Sequence, residues 1–200
     1  MAYEITKEEI ENLLKIEGEV RGVVFNTDHR FIKDRAGEDG VKEVEKKLEE
    51  MGCPFIYEKD ATDLSLHPIG MRALSLVAIS QVFDLNEEDI KNMGRNAPKF
   101  SLVIRFFMRY LVSPDAIIEK AGELWKKHYT VGRMEVIKSD MKLRYMVCAL
   151  HDITLHPIFC DYLSAYLEFI VKLGVGENVV GEETMCTYRG DEYHEFTMKW

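Results

Sequence analysis

The period at which apolar residues recur changes once along the chain, at about Gly132. Before it they return at threes and fours, the spacing of helices with one buried stripe. Thr6-x-x-Glu9 has the form of a capping box, and Ile10, Leu13 and Leu14 continue a short helix that should end before Gly18. Residues 20–25 read as a strand or as the lead-in to a helix suggested by Phe31 and Ile32, with Asn26, Thr27 and Asp28 as good caps. Val41, Val44, Leu48 and Met51 mark a helix from Gly40 to Gly52. After an extended 54–57, Pro68 reads as the first residue of a helix with Ile69, Ala73, Leu76, Val77, Ser80 and Phe83 on one face. Asn86-x-x-Asp89 caps a short helix ending near Gly94, and Pro98 opens another through Leu102, Phe106, Phe107 and Tyr110. Ser113-Pro114 opens one carrying Ile117, Ile118, Ala121, Leu124, Trp125 and His128.

Beyond Gly132 the pattern alternates. Met134, Val136 and Ile137 predict a strand, Ser139-Asp140 a turn, and residues 141–151 a second strand. Pro157 starts a helix with Ile158, Tyr162, Ala165, Tyr166, Phe169 and Ile170 on one stripe, closed by Gly174. Residues 184–189 and 193–200 then read as a closing hairpin. The predicted fold is α+β: a helical half, 1–130, followed by a strand-strand-helix-strand-strand antiparallel sheet in 131–200, together forming a single domain.

The loop of the hairpin decides its chemistry, because a slip of one residue turns every side chain to the other face. A loop of Gly190-Asp191-Glu192 pairs Cys186 with Phe196 and puts Cys186, Tyr188, His194, Phe196, Met198 and Trp200 on one side. That register gathers the apolar residues, and it sets Cys186 and His194 as diagonal neighbours roughly 7–8 Å apart at the backbone.

Composition narrows the function. The chain of 200 residues is 46% hydrophobic, enough for one substantial core. A net charge of -9 argues against nucleic acid or an anionic membrane as the main partner. With a charged, amphipathic start and no apolar run near 18 residues, no membrane span is expected and the predicted location is cytoplasmic. Cys53, Cys148, Cys160 and Cys186 lack CxxC spacing, so reduced thiols are the expectation. No dinucleotide fingerprint, phosphate loop, nucleophile elbow or His-Glu-x-x-His is present, and no enzymatic activity is predicted.

Cys186-x-x-x-Gly190-x-x-x-His194-x-Phe196 is similar to the C-terminal pattern of 4-vinyl-reductase domains, with His194 where that family usually has a second cysteine; Pro157-Ile-Phe-Cys160 resembles its preceding cysteine segment. Arg21-Gly-Val-Val-Phe25, Phe31-Ile32, Ala36-Gly-Glu-Asp39 and Leu85-x-x-Glu88-Asp-Ile90-x-x-Met-Gly94 resemble the helical half of haem-nitric-oxide-binding (H-NOX) domains. These families and the TRAPP trafficking subunits form one superfamily of ligand-binding domains, so the resemblance implies an H-NOX-like sensor or carrier. In H-NOX domains a mid-chain histidine ligates iron and a Tyr-x-Ser-x-Arg motif clamps the propionates. Here Leu124-Trp125 stands at the ligand segment, His128 follows one turn later, and residues 140–145 carry no such motif. The expectation is therefore against haem.

Three readings follow. Cys160, Cys186 and His194, with His156 as a fourth, form a candidate metal site, and zinc suits thiolate and imidazole. Trp125, His128, Tyr188 and Phe196 are candidates to line a pocket for a small apolar molecule, although a filled core or a core histidine explains such residues equally. The nearly continuous apolar stretch 100–111 suggests a face for a homodimer or a protein partner.

Overall fold

The structure, a computed structural model, describes residues 1–100, 113–176 and 178–200. Its helices are α1 (Lys7–Leu14), α2 (Val23–Glu50), α3 (Tyr57–Asp60), α4 (Gly70–Phe83), α5 (Glu87–Phe100), α6 (Pro114–Lys126) and α7 (Pro157–Val175). Its strands are β1 (Glu19–Arg21), β2 (Leu66–Pro68), β3 (Arg133–Asp140), β4 (Tyr145–His151), β5 (Val180–Met185) and β6 (His194–Lys199). β1 and β2 form a small antiparallel pair, and the main sheet has the order β3-β4-β6-β5, antiparallel throughout. The predicted helix-then-sheet order is therefore present. The helix and partner face expected after Pro98 lie largely in 101–112, outside the described residues.

Local chemistry sets several boundaries as expected. Thr6 and Glu9 complete the capping box of α1, Asn86 and Asp89 exchange the same pair of bonds at the start of α5, and Ser113 caps α6 ahead of Pro114. The helix suggested by Phe31 and the one expected from Gly40 are the two parts of α2, separated by a non-helical break at Gly37 (φ 64°). Elsewhere tertiary contacts override local signals. Asp28 is no cap; it lies within α2, fully buried, with its carboxylate on Arg72 and Ser75 of α4. Pro68 pairs with Glu19 at the end of β2, so α4 starts two residues later than predicted.

Gly94 does not stop α5. It is the point where α5 crosses α7: a Cβ there would lie 2.2 Å from the Tyr162 carbonyl oxygen, and only glycine permits that approach. Helix α7 also contacts β5 and β6, and α6 packs on β3 and α7. The core thus runs between the helical half and the inner face of the sheet, where β4 is buried at Met146, Val147, Cys148, Ala149 and Leu150.

The closing ribbon departs from the predicted register. β5 ends at Met185, Thr187–Arg189 forms a short 3-10 turn, and β6 begins at His194. Glu183, not Cys186, stands opposite Phe196, and the pairing shifts between Glu183 and Met185. Asp191 explains the wider loop, since its carboxylate accepts a 2.7 Å hydrogen bond from the Cys186 amide and holds the chain out of the ladder.

Candidate functional site

Cys186 still reaches His194, by a different route from the one the hairpin pattern suggested. Glu183 faces inward because it stands opposite Phe196, and the bulge that follows it lets Cys186 come back to the same face, under α7. Cys160, on α7, comes down from above. The Cys160 and Cys186 sulfurs are 3.9 Å apart, Cys160 Sγ is 3.5 Å from His194 Nδ1, and that nitrogen is 3.0 Å from Glu183 Oε1. One donor atom from each of Cys160, Glu183, Cys186 and His194 lies within 4.8 Å of all the others. A tetrahedral centre with bonds of ~2.3 Å to sulfur and ~2.0 Å to nitrogen would separate its donors by roughly 3.5–3.8 Å. The arrangement is close to that.

The electrostatics match a set of donors pressed together. Cys186 is lowered to about 6, chiefly because the Cys160 thiol donates to it, while that same bond and burial push Cys160 far up. Burial opposes charge on His194, yet Glu183 and the Cys186 sulfur raise it above the ordinary histidine value. Burial likewise opposes ionisation of Glu183, but hydrogen bonds from His194 and the two cysteines bring it below the ordinary carboxylate value. Without a cation the cluster is held by shared protons; a soft divalent cation would take their place, since thiolate and imidazole suit such ions. The Thr187 hydroxyl lies 2.7 Å from His194 Nε2 and donates toward the Ile153 carbonyl, so Nε2 carries hydrogen and Nδ1 faces the sulfurs. An open cleft lined by Lys91, Asp161, Glu183, Cys186 and Tyr188 gives solvent access from one side.

His156 is not the fourth donor. It caps α7, its Nδ1 accepting from the Ile158 amide at 3.3 Å and its Nε2 facing the Glu4 carbonyl. Glu183 stands in its place. The sequence held that carboxylate three residues before Cys186, but strand alternation gave no sign of the bulge that puts both on one face.

A second feature lies between α2, α4, α6, α7 and the sheet: an apolar cavity of about 80 Å³ walled by side chains that include Val24, Ile117, Leu124, Ile170 and Val171. Two predicted residues line it. Trp125 stacks on Tyr129 (4.2 Å between ring centres) and donates from Nε1 to the Val131 carbonyl at 2.8 Å. His128 places Nδ1 2.9 Å from the Leu124 carbonyl, which fixes the hydrogen on Nδ1 and leaves the Nε2 lone pair free for a ligand. Phe196 is fully buried beside Cys148 of β4, outside the cavity lining. Tyr188 is 46% exposed, with its hydroxyl on Glu9, because the 3-10 turn carries it off the inner face. Sequence reasoning missed Arg72, a residue of the cavity wall, fully buried and paired with Asp28. An arginine inside the apolar run 69–79 was the available signal.

No protein-family model matches the chain, and neither does any curated protein. Solved structures do. An H-NOX protein from S. oneidensis, described in its Fe(II)NO ligation state, superposes with a TM-score of 0.62 at 12% identity, covering 90% of this chain and 98% of that one. The I5F mutant of T. Tengcongensis H-NOX gives 0.60 at 19% identity over 90% and 96%. The Fe(II) unliganded H-NOX protein from K. algicida gives 0.59 at 12% over 90% and 95%. The chain has the H-NOX-like fold, as its helical half suggested; the likeness to 4-vinyl-reductase domains rests on the cysteine motif alone. The expectation against haem, with zinc as a possible cofactor, is overturned by the descriptions of these neighbours: two name ferrous iron, and that of a further one names haem distortion.

Proposed function

We propose that this chain is a non-enzymatic ligand-binding sensor domain, in which a small molecule enters the cavity between the helical half and the sheet. The observation that carries the reading is a mostly apolar cavity holding one arginine and one histidine, at the junction of two layers whose packing an occupant would alter. Alongside it, the four-donor cluster of Cys160, Glu183, Cys186 and His194 is read as a site for a divalent metal cation that ties α7 to the closing ribbon. A cytoplasmic setting accords with four cysteines that are all free thiols.

Haem is the occupant that the neighbours' descriptions favour, and one donor in the cavity is of the right kind: His128 Nε2 would be the iron ligand. Arg72, already paired with Asp28, is not assigned to a propionate. Bound haem would supply an iron able to take a diatomic gas such as nitric oxide. In this chain the Trp125–Tyr129 stack would have to open to admit a macrocycle, since the cavity has about 80 Å³ of free space.

An absorbance spectrum with metal analysis of the purified chain, followed by titration with hemin, tests both. A Soret band lost in His128→Ala supports the haem reading. A colourless protein that takes up no hemin, but whose Trp125 fluorescence changes with small apolar compounds, supports the smaller ligand. Absence of both responses overturns the sensor proposal.

A further inference from the structure

Arg72 is the one charged side chain on the cavity wall among the described residues, and its bonding is incomplete. The residue is 0% exposed. Nη1 donates to the Asp28 carboxylate, and the guanidinium plane lies over the Tyr162 ring, 4.4 Å from its centre. Nε and Nη2 make no hydrogen bond of good geometry among the described residues, although the Tyr129 hydroxyl stands near enough to the guanidinium to interact with it. Those two nitrogens share one edge of the guanidinium, so their N–H groups run parallel and can converge on a single acceptor. His128 cannot serve a ligand in this way, because its Nδ1 hydrogen is engaged by Leu124 and its other nitrogen is an acceptor.

The charge of the acceptor is constrained too. Asp28 already neutralises Arg72, and Ser75 completes that contact with a 2.7 Å bond to the same carboxylate oxygen. A ligand carboxylate would add a second negative charge to a wall with no further cation, and a buried net charge is costly. An uncharged oxygen satisfies both donors without that penalty. The space available corresponds to roughly half a dozen waters, or about six to eight non-hydrogen atoms.

We propose that the cavity takes a small apolar molecule bearing one uncharged carbonyl oxygen, received by Nε–H and Nη2–H of Arg72, with its hydrocarbon body against Ile117, Leu124, Trp125 and Ile170. The proposal rests on the cavity being a binding site, and it adds the ligand's class and the residue that selects it.

The test compares cyclohexanone with methylenecyclohexane, the same shape with the oxygen replaced by a CH2 group, and with cyclobutanecarboxylate, which has the same number of non-hydrogen atoms. Each is titrated at pH 7 into the full chain, with binding read by calorimetry and by the methyl resonances of Ile117, Leu124 and Ile170. The ketone should bind about tenfold or more tighter than the alkene, and the carboxylate more weakly than the ketone. The double variant Arg72→Met with Asp28→Asn, which leaves no unpaired charge, should bind ketone and alkene alike. Equal affinities in the unmodified chain overturn the carbonyl assignment and leave the cavity reading intact, and a carboxylate bound tighter than the ketone overturns the charge argument. Failure of all three to bind overturns the small-ligand proposal, while uptake of hemin in the same protein would keep the cavity reading. The comparison within the unmodified chain does not depend on the variant folding.

Discussion

His194 and Thr187 are joined by a 2.7 Å hydrogen bond that decides which ring nitrogen faces the sulfurs of Cys160 and Cys186. Because Thr187 also points its hydroxyl hydrogen at the Ile153 carbonyl, it accepts from Nε2 and leaves Nδ1 for the cluster. Outer partners of this kind change metal affinity about 10- to 100-fold. Thr187→Val should therefore weaken Co2+ binding by that factor, read from the thiolate-to-cobalt absorbance, while Thr187→Ser keeps it. Unchanged affinity in the valine variant would show that Thr187 does not position the ring.

Metal uptake by the cluster should release protons. With Cys186 at about 6 and Cys160 far above neutrality, one thiol is ionised and the other protonated at pH 7, and His194 is raised toward its charged form. Cd2+ binding at pH 7 should release between one and two protons, measured by calorimetry in buffers of different ionisation enthalpy. Affinity should fall as pH is lowered. Cys160→Ser should abolish the absorbance of the Cd2+–thiolate pair that Glu183→Gln only weakens, and a pH-independent affinity would rule out thiolate ligation.

His128 makes stability depend on pH with a definite sign. Burial lowers its value below the 6.5 of an exposed ring, so the fold favours the neutral form. Its contribution is full above 6.5 and is lost as pH falls through the lowered value. His156 acts in the same direction, also through burial. His194 acts oppositely in the metal-free protein: its raised value gives a contribution that is full below 6.5 and disappears as pH rises through that value. Denaturant midpoints between pH 7 and 5 should fall less steeply in His128→Gln than in the parent, by at most about 1.4 kcal/mol per pH unit. Parallel curves would show that His128 does not titrate with unfolding.

Gly94→Ala tests the crossing of α5 over α7. In an isolated helix the alanine would be favourable by about 1 kcal/mol. Here its Cβ would fall 2.2 Å from the Tyr162 carbonyl oxygen, so the helices must part. A net loss of ~1–3 kcal/mol is expected, which for a chain of this size lowers Tm by roughly 2–4 °C per kcal/mol. An alanine variant as stable as the parent would mean that the two helices are not in contact at this point.

The sequence determined what depends on neighbours along the chain. The caps at Thr6, Asn86 and Ser113, the helix after Pro157, the change of period near Gly132 and the inward face of His194, Phe196 and Met198 all follow from spacing over a few residues. Three of the four cluster donors were legible for the same reason, as cysteines and a histidine at the ends of elements that must pack together. Tertiary structure alone decided the rest. Glu183 replaces His156 because a bulge puts it on the same face as Cys186, and alternation carries no record of a bulge. Gly94 is a contact and not a stop because its partner lies on a helix more than sixty residues away. Asp28 and Arg72 meet across two helices, and no local pattern distinguishes a buried ion pair from a cap and a stray charge. What the fold adds is contact between residues distant along the chain, and here both candidate sites are made of such contacts.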